Sequence, residues 1–551
     1  MKYFLKYNNF DILKNHILKD PICDWYEITS MKNDNVIKDE PSHYRQFIVE
    51  ESTKYKKEII RLIQKELSLN VPFQNTYAQT KTSILKNIPL IFQGVLLGSD
   101  NIYIDCDIII TYKLFEKLFP KISNIPFHLL CNSKNDYILI NISYATLHFK
   151  VDLKDVLNDS LVLYKKCKLY AFHEEVYKLT NKRPHCFLLG KDYYYKKMLL
   201  PKDEFISKVT FDENIITCFL KAIEWIKILK KEFYTMEILP KPTHHELYPN
   251  MNYTESQWEN EKIKLAEMIK EITLVWNISY EERCNFLKNG ILNWEDPKLL
   301  NSLKESKKKG IQERMIHMNQ QKEVLLYPRK AISNELHTIL NIRENDIYFD
   351  IESFLSFDEK SKLFTNIEPK DEPVLGILGV FYQKHYYNFT IERFTKEKEK
   401  EIILKFRNFL NDISKNNTFI NIFHWGHAEY NYFRYIHKTY PEIRFPKYNL
   451  INVLDYFRME PIIVQGIFKF GLKSVGKALY KNGLIETTWD DENENGLDSM
   501  VHFKQLCQNN RKDIPLKRYL EINKIINYNQ KDCQVLYEIV SLLREKYQKE
   551  G

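Results

Sequence analysis

The stretch from Asp346 to Lys438 constrains the fold more than any other part of the chain. Three strand-like runs follow one another, DIYFDIES, PVLGILGVFY and YYNFTIERF, each rich in β-branched and aromatic residues. The run KEKEKEIILKFRNFLNDI then has helical periodicity, NTFINIFHW reads as a strand and HAEYNYFRYIHK as a second helix. Three meandering strands followed by alternating helix and strand predict a mixed α/β sheet, because an all-parallel sheet would need a crossover between every pair of strands.

The remaining sequence divides less sharply. At 551 residues the chain should hold three or four units, and 44% apolar with 28% charged residues is globular composition. Only 14 glycines exclude collagen-like and Gly-linker architectures. Residues 1–200 read as α/β, with a helical pattern from Phe47 to Leu67, strands in PLIFQGVLLG, IYIDCDIIITY and DYILINISYATLHFKVD, and a helical pattern from Leu153 to Thr180. Residues 1–45 give no clear pattern. Residues 201–300 read as a helical connector broken by the elbow ILPKPTHHELYPNM, and 301–345, with the charged KESKKKG, as a linker. The last unit is 346–551.

Subtracting 73 acidic from 81 basic side chains leaves +8, a balance that permits a nucleic-acid partner without requiring one. Nine scattered cysteines with no C-x-x-C pair predict a reducing compartment and no zinc or iron–sulfur site. The N-terminus has no signal-like apolar core, and the run from Ile88 to Gly98 is too short to span a bilayer, so a soluble intracellular protein is expected.

Asp350 and Glu352 stand two apart in a predicted strand, so both leave the same face while Phe349 and Ile351 leave the other. Taken alone a D-x-E is common; its position on the first strand of an α/β unit gives it weight, since acids are not placed there for packing. Glu429 falls near the start of a helix after an apolar strand, where it could equally serve as a simple helix-end charge. Tyr528 and Asp532 share a face of the amphipathic helix INYNQKDCQVLYEIVSLLREKY. Together the four carboxylates suit two divalent ions, Mg²⁺ or Mn²⁺, about 4 Å apart, with Tyr528 orienting the attacking water.

The segments YFDIES, IFHWGHAEYNYF and YNQKDC resemble the three motifs of the DEDDy group of ribonuclease H-like 3′–5′ exonucleases, over about residues 346–551. The closest likeness is to the variant whose second motif is W-x-x-x-E, here Trp425 to Glu429, where most members use Asp. Tyr528, four before Asp532, fits DEDDy; a DEDDh enzyme has His at minus five, where Asn527 stands. The resemblance implies Asp350, Glu352, Glu429 and Asp532 as metal ligands, and these with Tyr528 as the catalytic set.

The same group pairs this domain with a RecB-like PD-(D/E)XK nuclease fold, and residues 83–149 resemble that restriction-endonuclease-like core. Asp107 matches its first acid. The D/E-x-K positions read Asn141 and Ser143, and the helix Glu falls at Lys56. Asn is a poor divalent ligand and Ser carries no charge, so the resemblance implies a silent domain that still grips nucleic acid. Another lysine, Lys81 or Lys165, taking over remains the alternative. KNGI in the connector is weakly similar to a helix-hairpin-helix, against an ordinary glycine cap; Trp276 and Trp294 read as core anchors. The same domain order occurs in bacterial and large-DNA-virus nucleases, and a viral protein would act in host cytoplasm or virion. The sequence thus predicts a metal-dependent nuclease acting on DNA or RNA; the competing reading is a non-catalytic nucleic-acid-binding or interaction protein built from two nuclease-fold remnants. A transposase-type endonuclease is disfavoured by the Tyr528/Asp532 pair.

Overall fold

The computed structural model describes residues 8–71, 73, 76–125, 136–254, 256–306, 308–321, 325–328, 339, 345–354, 374–393, 395–414, 419–459, 461–489, 501 and 515–548. It is mixed α/β, and its described residues divide into two compact units, 8–41 with 45–271, and 42–44 with 272–548.

In the first unit, α1 (His43–Leu67) precedes β1 (Leu90–Leu97), β2 (Tyr103–Thr111) and β3 (Tyr137–Ile142); α2 (Ser160–Thr180), β4 (His185–Leu189), β5 (Ser207–Val209) and α3 (Glu213–Glu232) follow. The strands lie in the order β1-β2-β3-β4-β5, antiparallel except for β3 beside β4. The isoleucine-rich β2 is buried on both faces. Ile108 and Ile110 pack with Ile59 and Ile63 of α1, and Ile109 packs with Phe172 of α2 and Trp225 of α3. The expected strand over DYILINISYATLHFKVD splits: β3 ends at Ile142 and Thr146–His148 pairs in a separate small sheet. Residues 10–30, which carry no legible pattern, form three short helical segments whose Phe10, Leu13 and Ile17 seal one edge of the core.

The second unit begins earlier than residue 346. Ile272, Val275, Ile278, Phe286, Trp294 and Leu299 are buried together with Phe457 and Ile463, so the later part of the expected connector is core to this unit. Trp276 packs edge-on against Phe470, and Trp294 against Phe468, as core anchors would. The KNGI turn ends helix α4 (Tyr280–Lys288): Gly290 has φ +76°, and the Ile291 N–H donates to Phe286 O at 3.0 Å. This is the glycine cap, and it consumes a backbone N–H that a helix-hairpin-helix would offer to phosphate. The expected linker 301–345 contains helix α5 (Lys309–Gln320), whose Met315 and Ile316 are fully buried, while most of the charged run KESKKKG precedes that helix.

The sheet of the second unit comprises β6 (Asp346–Phe354), β7 (Val374–Tyr382), β8 (His385–Thr390), β9 (Ile420–His424) and β10 (Tyr448–Asn452). Its order is β8-β7-β6-β9-β10, antiparallel across the first three strands and parallel from β6 through β10. Helices α6 (Lys396–Ile413) and α7 (Ala428–Thr439) cover one face through Phe406 and Phe433, which meet Phe349 of β6. Helix α8 (Leu472–Lys481) precedes α9 (Leu520–Gln548), whose Cys533, Leu536 and Val540 share a core with Tyr348 on the opposite face. Period-2 alternation along β6 therefore sends Ile347, Phe349 and Ile351 into one core, and Asp350 and Glu352 toward α9.

Candidate metal centre

Carboxyl oxygens of Asp350, Glu352 and Asp532 lie within 4.8 Å of one another. Two strand residues and one helix residue meet there because α9 crosses the face that β6 presents. Glu352 and Asp532 are only 6% and 8% exposed, and Asp350 is half-buried. Glu429, 3% exposed in the first turn of α7, stands outside this group of three, close enough for its charge to raise Asp350 and Glu352. Its helix starts where it does because β9 ends at His424 and Gly426, at φ +111°, turns the chain; the Gly426 N–H is held by Asn452 Oδ1 at 2.9 Å. Trp425 is pinned by donating to Phe470 O at 3.1 Å.

Electrostatics show how close the acids are. Burial, then the charge of Asp532, then Glu352 and Glu429, hold the Asp350 carboxyl well above the usual carboxylate range. Glu352 is raised likewise by burial, Asp532 and Glu429. Asp532 is pushed up to about 7, chiefly by burial, against the hydrogen bond from Trp489, the charge of Lys473 and the hydrogen bond from Tyr528. The Tyr528 hydroxyl is itself raised by burial and by Asp532. Buried acids raising one another form a site whose charge a cation would balance. The donors are hard carboxylate oxygens, and Glu429 Oε2 is buried with no hydrogen-bond partner. The hard donors, and the charge that these buried acids share, fit a divalent metal ion at Asp350, Glu352 and Asp532.

Several residues around the acids carry no sequence motif. Asn529 Nδ2 donates to Asp350 Oδ2 at 2.7 Å, and Tyr386 OH donates to Asn529 Oδ1 at 2.8 Å, which fixes the amide orientation. Asn529 stands three before Asp532 on the same helical face, a spacing that could have marked it. Trp489 Nε1 donates to Asp532 Oδ1 at 2.8 Å. Gly379 pairs opposite Asp350 across β6 and β7, and a Cβ there would lie 1.6 Å from Asn529 Oδ1. Lys473, in the first turn of α8, places its ammonium 4.6 Å from the Tyr528 ring centroid and lowers the pKa of Glu352 and Asp532. Nothing local in the sequence points to Trp489, Gly379 or Lys473.

In the first unit, Lys56 Nζ of α1 forms an ion pair with Asp107 Oδ1 at 2.6 Å, and the Ile142 N–H donates to Asp107 Oδ2 at 2.7 Å. Asn141 is buried beside them, its Oδ1 accepting from the Asp107 N–H at 3.2 Å. Ser143 is buried just past the end of β3, its N–H donating to Leu189 O at 2.7 Å. Lys165 of α2 donates to Ile142 O at 2.9 Å, and burial pulls its pKa down to about 8. Asp107 is thus neutralised by an ammonium from its own chain. Lys81 packs its ammonium over Tyr77, 5.6 Å from the ring centroid.

No curated protein and no solved structure matches the chain. Among the described residues, no helix is long and apolar enough to cross a membrane. Residues 347–544 match the family model RNase_H_2, of the RNase H superfamily, a class that suggests a nuclease and usually uses divalent metal ions. The span takes in β6 with Asp350 and Glu352, Glu429 on α7 and Asp532 on α9, and the second unit of this chain accordingly carries an RNase H-like domain with an acidic, metal-compatible site.

Proposed function

We propose that the RNase H-like domain hydrolyses phosphodiester bonds as a metal-dependent 3′–5′ exonuclease of the DEDDy type. The observation that carries this reading is the meeting of Asp350, Glu352 and Asp532 within 4.8 Å, with Glu429 adding to the same field. Two Mg²⁺ or Mn²⁺ ions, when bound, would supply a hydroxide nucleophile and stabilise the leaving 3′ oxygen. The four carboxylates would hold the ions, with Asn529 and Trp489 fixing the rotamers of Asp350 and Asp532. The Tyr528 hydroxyl, already hydrogen-bonded to Asp532, orients the attacking water. Lys473 sets a positive charge beside Tyr528, where it can meet a substrate phosphate.

The first unit, in this reading, resembles a PD-(D/E)XK fold that binds nucleic acid without cutting it. The Lys56–Asp107 ion pair supports this, because the acid that would hold a metal already has a cation.

The test is full-length protein with Mg²⁺ or Mn²⁺ on end-labelled single-stranded, duplex and 3′-blocked DNA and RNA. Stepwise loss from free 3′ ends is expected, stopped by chelator and by the 3′ block; no hydrolysis of any substrate with either ion overturns the proposal, and the binding-protein reading replaces it. Cutting of a closed circle would overturn the exonuclease assignment alone. In the same assay Tyr528→Phe should slow hydrolysis about 10²–10⁴-fold, the usual weight of one general-base or water-orienting group, while Mn²⁺ binding measured by calorimetry stays unchanged.

A further inference from the structure

Next to Glu429 stands a buried group that the proposed chemistry does not use. His424, the last residue of β9, is 2% exposed, and its Nδ1 has no hydrogen-bond partner. Glu429 Oε2, also without one, faces it at 3.4 Å. A buried polar atom left unmatched is costly, and two such atoms 3.4 Å apart need only a small adjustment to form a hydrogen bond.

We propose that His424 is a positioning residue for the metal centre: its Nδ1–H donates to Glu429 Oε2 once a divalent ion is bound and leaves Oε1 for the ion. The inference rests on the metal-site reading above. Glutamate has one more rotatable bond than aspartate, so a Glu at this position needs a second anchor to hold one carboxylate oxygen in place. His424 is rigid enough to serve. Its strand is hydrogen-bonded to β6 on one side and β10 on the other, with His424 in register with Asn452. A histidine N–H bound to a ligating carboxylate orients that ligand from behind, a type of contact whose loss commonly weakens metal binding or activity about 10–100-fold.

The test uses the full chain and Mn²⁺ affinity by calorimetric titration, with thermal melting as the check on folding. His424→Phe should bind Mn²⁺ about 10–100-fold more weakly. His424→Asn, whose amide Nδ2 stands close to the place of the imidazole Nδ1, should recover much of the loss. In a Glu429→Asp background the shorter carboxylate no longer reaches His424, so adding His424→Phe should cost nothing further. A folded His424→Phe chain that binds Mn²⁺ like wild type overturns the assignment and leaves the metal site standing; a wild-type chain that binds no Mn²⁺ overturns both. Selective ¹⁵N-histidine labelling of the Mg²⁺-loaded wild type gives a readout that no substitution can spoil. The His424 proton should sit on Nδ1, and a ring protonated only at Nε2 sinks the proposal.

Discussion

Asp350→Ala and Asp532→Ala should each reduce metal-dependent hydrolysis to background. The two residues come from different elements, β6 and α9, and their carboxyl oxygens meet within 4.8 Å together with Glu352. Removing either takes away a direct ligand and leaves the ions short of negative charge, so both the nucleophile and the stabilisation of the leaving oxygen fail together. The same substitutions should not unfold the ion-free chain. Asp350 and Glu352 are both held above the usual carboxylate range by burial and by the charge of Asp532, which is a repulsive arrangement, and deleting one member relieves it. The expected signature is therefore lost cleavage and lost Mn²⁺ binding with an unchanged or raised melting temperature. Wild-type rates in both variants would show that this cluster is not where hydrolysis occurs.

Arg544→Met should lower the stability of the second unit by about 3–5 kcal/mol, the usual cost of removing one partner from a buried ion pair. Arg544 Nη2 meets Asp346 Oδ2 at 2.6 Å, its Nη1 donates to Tyr348 OH at 3.0 Å and its Nε to Ile339 O at 3.2 Å. The guanidinium also lies 5.2 Å from the Phe423 ring centroid. Methionine would fill much of the volume but leave the buried Asp346 carboxylate without the guanidinium, while Asn421 Nδ2 still donates to it at 2.8 Å. For a unit of this size the loss corresponds to a fall in melting temperature of roughly 6–20 °C. Arg544 and Asp532 stand twelve residues apart on one helix, about 18 Å along its axis, so loosening this clamp frees the helix that carries Asp532 against the strand that carries Asp350. Calorimetric melting decides the matter, and a shift under about 2 °C would mean that the pair contributes little.

The parts of this molecule that the sequence made legible are those set by local periodicity. The alternation in YFDIES sends Asp350 and Glu352 to one face and Phe349 to the other, and the four-residue spacing of Tyr528 and Asp532 puts them side by side, whatever the rest of the chain does. What escaped is set by pairing between distant segments. Trp489 meets Asp532 from forty-three residues away, and Tyr386 reaches Asn529 from one hundred and forty-three. The helices of residues 272–320 look like connector and linker in the sequence because their apolar stripe has no local partner; Phe457, Ile463 and Phe470 supply it. In residues 10–30 the helical segments are too short for a 3.6-residue period to emerge.

Gly379 shows that the acidic centre also depends on something missing. Its backbone is ordinary extended strand, so a larger residue there would meet no conformational penalty, and the usual reasons for glycine in a turn do not apply. The constraint is one of volume: the amide of Asn529 occupies the space that any side chain at 379 would claim. The Asn529 amide of α9 can thus lie directly against the β7 backbone, and from there a side chain as short as asparagine touches the acid on the neighbouring strand. The approach of α9 to the acid on β6 is in this way eased by an empty position on a third element, which offers no functional group to chemistry and tolerates none.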